Sequence, residues 1–228
     1  MSVESVTALS IVNRVLTRLR EDTVENISDT AYATMIFGFL NDAKREVEDA
    51  FNWDSLLVTL DIPTVASQQY VSVKDTTLGI YTNARSRVIE VYDTDSICFL
   101  VKHTREYIRQ NTFTLDTPGQ PFYWAMGGMD ETQNVQIEFF QIPDGVYNLK
   151  VTVYNPSDDF TSDEDYLKIP WMPVFLRTLA MAIQEKGEDG GATASDITSQ
   201  YVRALGDAIA YEQRSKYEGT TDGDWYVP

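Results

Sequence analysis

The hydrophobic period of this chain changes twice, from about 3.6 residues to two and back again, and those changes decide what it can fold into. In the first segment Ala8, Leu9, Val12, Val15, Leu16 and Leu19 share one arc, while Asn13, Arg14 and Glu21 fall outside it. That pattern predicts an amphipathic helix. A second helix is expected from a cap at Ser28 or Asp29 to about Phe51, because Ile36, Phe39, Leu40, Ala43, Val47, Ala50 and Phe51 recur at helical spacing. Asp42, Arg45, Glu48 and Asp49 are assigned to its other, charged side.

After Trp53 the period becomes two, starting with Leu56-Leu57-Val58-Thr59-Leu60-Asp61-Ile62, and β-branched and aromatic residues become frequent. Further strands are predicted at 69–73, 87–93, 97–102, 121–126, 135–142 and 146–154, separated by Gly, Pro, Asn and Asp turn signals. Val135, Ile137 and Phe139 alternate with Gln136 and Glu138, and beyond Pro143-Asp144-Gly145 the residues Tyr147, Leu149, Val151 and Val153 alternate again. The last two strands are therefore expected to form a hairpin. Thr104 to Gln110 lacks strand alternation and is read as a short helix.

Helical character returns after the acidic stretch Asp158 to Asp165, which is expected to be a solvated boundary loop. Its last carboxylates would favour the N-terminus of the following helix. Pro170 and Pro173 suit that helix's entrance and Gly187 its exit. Between them Trp171, Met172, Val174, Phe175, Leu176, Leu179, Ala180, Met181, Ala182 and Ile183 leave little polar surface. Such a helix is expected to be central to the bundle or covered by a neighbouring subunit. A last helix carries Ile197, Tyr201, Ala204, Leu205, Ala208 and Ile209 on one face. The expected fold class is α+β. Residues 1–52 and 166–216 form an antiparallel helical bundle, 53–165 an inserted, mainly antiparallel β domain, and 217–228 an extended C-terminal tail.

With 228 residues, 43% of them hydrophobic, the chain has enough apolar material for a packed core. Its formal charge of −17 repels phosphate backbones and argues against gripping DNA. The lone cysteine, Cys98, rules out an intramolecular disulfide and points to a reducing compartment. Neither a signal peptide at the start nor an apolar run of membrane-spanning length is expected.

Catalytic patterns are sparse. His103, the one histidine, lies five residues from Cys98, and along one strand that spacing puts the two side chains on opposite faces. An ordinary thiol and a surface imidazole are the expectation. One Cys and one His do not make a zinc site, the acidic stretch lacks the calcium-loop pattern, and no phosphate-cradling glycine motif occurs, Gly127-Gly128 merely preceding a strand. No catalytic residue, cofactor or metal site is assigned. Tyr123, Trp124, Phe139 and Phe140 could stack a sugar or a base, although aromatic residues more commonly serve packing.

The order of several short signatures resembles the tail adaptors, or head-to-tail connectors, of short-tailed bacteriophages, the tail tubular protein A type. They are Ala8-Leu9-Ser10-Ile11-Val12-Asn13, Asn41-Asp42-Ala43-Lys44-Arg45-Glu46-Val47, Phe51-Asn52-Trp53, Gly119-Gln120-Pro121-Phe122-Tyr123, Ile142-Pro143-Asp144-Gly145-Val146-Tyr147, and Tyr154-Asn155-Pro156 running through Asp163-Glu164-Asp165 to Ile169-Pro170. The resemblance spans most of the chain. It implies a non-enzymatic virion protein, assembled in the host cytoplasm and forming a dodecameric ring between portal protein and tail nozzle protein. Phage DNA would pass through the ring without specific binding, and no membrane is involved. Trp171 and Phe175 on the apolar helix, with Tyr217, Trp225 and Tyr226 near the chain's end, are the candidate interface residues. The tail is expected to order against the portal or a neighbouring adaptor. Rival readings are another tail component, a nozzle or a receptor-binding protein gripping carbohydrate with its aromatic β face, and a cell-wall hydrolase built on buried carboxylates.

Overall fold

The computed structural model describes residues 6–114, 118–187 and 192–217. Among these are five helices, α1 (Ala8–Arg18), α2 (Ala31–Ala50), α3 (Arg105–Thr114), α4 (Trp171–Lys186) and α5 (Ala192–Tyr217). The strands are β1 (Leu57–Pro63), β2 (Tyr70–Ser72), β3 (Lys74–Asp75), β4 (Ile80–Tyr81), β5 (Arg87–Asp93), β6 (Cys98–Phe99), β7 (Val101–Lys102), β8 (Tyr123–Met129), β9 (Val135–Phe140) and β10 (Asn148–Tyr154). The fold is mixed α+β with sheets rich in antiparallel pairs. The chain divides into two compact units, Met1–Ser55 with Ser157–Pro228, and Leu56–Pro156.

In the helical unit each helix end has an identifiable cause. Thr7 caps α1, its hydroxyl accepting from the Ser10 amide at 3.3 Å. The returning chain satisfies two more first-turn donors: Ala8 N–H donates to the Asp165 carbonyl and Leu9 N–H to that of Asp163. Ile11, left out of the predicted arc, is fully buried beside Val12, Val15 and Leu16. The cap of α2 is Thr30, whose hydroxyl accepts from Ala33 N–H at 3.0 Å, in place of the expected Ser28 or Asp29. Asp29 is occupied elsewhere, its carboxylate accepting from the amides of Glu25 and Asn26.

Helix α2 buries Ala33, Ile36, Leu40, Ala43 and Val47, as its spacing requires. It also encloses Lys44 and Glu48, each only 1% exposed, so the assignment of Glu48 to the charged face is corrected. The pair lies one turn apart at 3.4 Å. Lys44 Nζ donates to the carbonyls of Ser157 and Asp158 at 3.0 and 2.6 Å, and the Ser157 hydroxyl donates to Glu48 at 2.8 Å. Burial is tolerated because both charges are paired and further hydrogen-bonded.

Helix α4 begins after Pro170 and ends at Gly187, whose φ of +64° is the left-handed conformation of a helix C-cap. It packs against α1, α2 and α5. Val174, Phe175, Leu179, Ala180 and Ala182 are buried within the chain itself. Helices of its own unit thus cover much of this apolar helix, while Met172 stays exposed. Arg177 on α4 pairs with Glu46 on α2 at 2.7 Å, and the Tyr201 hydroxyl of α5 donates to the same carboxylate at 3.1 Å. Burial, with the neighbouring Glu46 charge and hydrogen bond, pushes the Tyr201 phenol up to about 12, against the opposing influence of Arg177. Tyr201 and Ala194 are buried on α5, while Val202 and Tyr211 are exposed.

The β unit contains two four-stranded sheets, ordered β1-β10-β5-β6 and β2-β9-β8-β7, and the small pair β3-β4. Neighbours are antiparallel except β7 and β8, which are parallel. The two larger sheets share one core, to which the first gives Leu60, Val88, Val91, Leu149, Val151 and Val153, and the second gives Val71, Trp124, Val135, Ile137 and Phe139. The expected hairpin of residues 135–142 with 146–154 does not form. β9 pairs with β2 and β8, and β10 with β1 and β5. Both strands face the same core from opposite sheets, and alternation reports the buried face without naming the lateral neighbour.

Thr64 fixes the crossing, its buried hydroxyl donating to the Gly145 carbonyl at 3.0 Å and accepting from Tyr147 N–H at 2.8 Å. A true hairpin joins β8 to β9 through 130–134, where the Asp130 carboxylate accepts from the amides of Thr132 and Asn134. Gly127 and Gly128 lie inside β8, ahead of β9 as expected, at a shift in the register of the two strands. A Cβ on Gly127 would meet the Tyr70 ring at 3.1 Å, and Gly128 has φ +103°. The predicted strand 97–102 is split: β6 edges one sheet and β7 the other, with buried Leu100 at the crossing. Helix α3 covers the outer side of β9 with Ile108, against Ala125, Phe140 and Tyr123.

Candidate functional site

Cys98 and His103 fall in or beside strands of different sheets. The expected surface imidazole is half-buried, stacked on Tyr107 with ring centres 4.1 Å apart and edge-on to Tyr123 at 4.9 Å. Trp124, Phe139 and Phe140 are buried in the β unit, so the aromatic face that a carbohydrate-binding reading needs is core. Glu138 on β9, 1% exposed, accepts from Arg105 Nε of α3 at 2.8 Å, with Arg109 at 3.9 Å. Tyr70 and Glu138 both accept from Arg105 and raise its pKa above the ordinary arginine value. This ion pair ties α3 to its sheet.

Burial alone would raise the Asp130 carboxyl, but the Asn134 amide, the Ser72 and Thr132 hydroxyls and the Asn134 side chain outweigh it and hold the group well below the usual carboxylate range. The acidic stretch 158–165 is more engaged than a solvated loop. Asp159 forms a two-bond pair with Arg45 at 2.7 and 2.6 Å, and Asp163 accepts from Ile27 N–H at 3.1 Å. The amides of Thr161 and Ser162, with the Thr161 hydroxyl and the Lys44 charge, hold Asp165 below its ordinary pKa. These carboxylates organise their own loop, and α4 starts without a side-chain cap. Among the described residues no group of three or more His, Cys, Asp or Glu side chains is arranged to hold a metal ion. No helix among them is long and apolar enough to cross a membrane.

The helical unit carries a groove of about 540 Å³ lined by Arg14, Thr17 and Arg18 of α1, Trp171, Met172, Phe175 and Leu176 of α4, and Gln200 of α5. The amphipathic pattern of α1 creates it: Val15 and Leu16 are buried, and the positions on their flank, Arg14 and Arg18, are left one turn apart on the outside. The Arg14 guanidinium lies over the Trp171 ring at 4.6 Å. Neither arginine has a carboxylate within ion-pair distance among the described residues.

Of the candidate interface residues, Trp171 is half-buried at the groove and Phe175, buried at 6% exposure, forms its floor. These two line one groove together with Arg14, which the sequence places outside the apolar arc of α1, and Arg18, which sequence reasoning did not single out. The signal that would have found them is a pair of cations at i, i+4 in a strongly acidic chain. Tyr217 closes α5, where Ala208, Ala210, Glu212, Gln213 and Arg214 sustain the helix after its apolar period fades. Trp225 and Tyr226 lie outside the described residues.

No curated protein matches the chain. A family model described as SU10 adaptor protein matches residues 6–224, nearly its whole length and both of its units. A helical unit interrupted by a two-sheet unit, with its ion pairs serving loops and helix packing, thus belongs to the SU10 adaptor protein family, a family of phage adaptors.

Proposed function

We propose that this chain is a structural virion protein of the head-to-tail region, an adaptor of the tail tubular protein A type. In this reading it forms a dodecameric ring between the portal and the tail nozzle of a short-tailed phage and lines part of the DNA ejection channel. The observation that carries it is the family match over residues 6–224. The role is non-enzymatic. Helices α1, α2, α4 and α5 serve as an antiparallel bundle, with the two-sheet unit inserted in it. The charge of −17 supports passage of DNA without adhesion, since an acidic surface repeated around a ring opposes phosphate contact over about 8 Å at physiological salt. A lumen lined mainly by Lys and Arg would count against that part.

Electron microscopy of this protein mixed with intact portal rings tests the assignment. A second ring of density on the tail-facing side of the portal is the expected result. Portal rings that stay bare at saturating protein would reject it. The rival receptor-binding reading loses its main support because Trp124, Phe139 and Phe140 are buried. Activity in a cell-wall zymogram would revive the hydrolase reading.

A further inference from the structure

We propose that the groove between α1 and α4 receives residues 218–228 of a second copy of this chain. The Trp225 and Tyr226 rings would pack on Trp171, Met172 and Phe175, and Asp222 and Asp224 would face Arg14 and Arg18. This deepens the ring reading and rests on it.

Charge is the first argument. A chain of formal charge −17 repels another copy of itself over most approaches, and contact requires a place where negative charge is welcome. The groove is such a place, with two exposed arginines beside apolar side chains. The segment 218–228 has the matching chemistry: Glu218, Asp222 and Asp224, no Lys or Arg, and then the adjacent aromatics Trp225-Tyr226. Arginine stacked on tryptophan, next to a half-exposed methionine, suits a second aromatic ring with a carboxylate one or two residues away.

Reach is the second argument. Gln200 of α5 lines the groove, and from Gln200 to Tyr217 a helix covers about 25 Å. From Tyr217 to Trp225 a fully extended chain covers at most about 28 Å. To enter its own groove the segment would have to double back along α5 stretched almost to its limit. The groove of another copy imposes no such condition. Groove and segment are also different surfaces, so their contact is heterologous, the type that closes into a ring when the rotation between copies allows.

The test uses the full-length chain and a fluorescein-labelled peptide of residues 218–228, followed by anisotropy. Saturable binding is expected, weakened at least tenfold by Arg14→Glu with Arg18→Glu in the chain, or by Trp225→Ala in the peptide. A peptide carrying Asp222→Lys and Asp224→Lys should recover binding to the double-glutamate chain, a rescue that a misfolded variant would not give. Binding indifferent to both arginines, or no binding at all, overturns the proposal. A chain that still joins portal rings in that case leaves the adaptor reading standing. A chain that never joins them, while the peptide binds through the arginines, sinks that reading and keeps the groove. To identify the donor copy, heavy-isotope and light chains with a photo-crosslinking residue at position 225 are mixed. Heavy-to-light cross-links to α1 or α4 are expected, and exclusively same-chain products would overturn the assignment to a second copy.

Discussion

The two units enclose negative charge in different ways. In the helical unit Glu48 and Lys44 belong to one helix, and both are shut away at 1% exposure. In the β unit Glu138 is equally enclosed, but its partner Arg105 reaches over from α3 and stays 39% exposed. Removing one member of a sealed pair leaves the other buried without its counter-charge. A half-open pair keeps a route to solvent through the exposed partner, so its loss should be milder.

The difference can be broken by substitution. Lys44→Met takes the counter-charge from buried Glu48 and the donor from two carbonyls, and should lower unfolding free energy by about 3–5 kcal/mol, followed by circular dichroism in a urea titration. Lys44→Met with Glu48→Met should recover most of that loss. A single substitution costing less than about 1 kcal/mol would show the pair to be no better than a surface bridge. Arg105→Met should cost about 1.5–3 kcal/mol, since Arg109 and Gln69 still approach Glu138. A cost equal to that of Lys44→Met would remove the distinction between sealed and half-open. Thr30→Ala, which deletes one cap bond and no buried charge, should cost about 1 kcal/mol and serves as the scale for an exposed helix end.

Legibility divides along the same line. The helical unit could be read because a helix satisfies its own backbone: spacing identified Val12, Val15 and Leu16 on α1 and Ile36, Leu40 and Val47 on α2, while Pro170 and Gly187 marked both ends of α4. What spacing could not supply was the environment of Glu48, which is set by Ser157, far away in sequence. In the β unit the buried faces of β9 and β10 were legible and their partners were not. A strand's neighbours are chosen by the rest of the sheet, and Thr64 holds the 143–147 corner across the core, where a hairpin would have folded it back. At the groove, Trp171 and Phe175 stood out as large apolar side chains. Arg14 and Arg18 did not, because an exposed arginine acquires meaning only from what packs beside it.

The crossing at Leu100 has one further consequence. Its amide donates to Val91 in one sheet, while the amides of Val101 and His103 donate to Phe122 and Trp124 in the other. One short ribbon is thus the selvedge of both fabrics, and fraying there loosens them together. Amide exchange along 100–103 should accordingly rise in unison when either sheet is weakened from its far side.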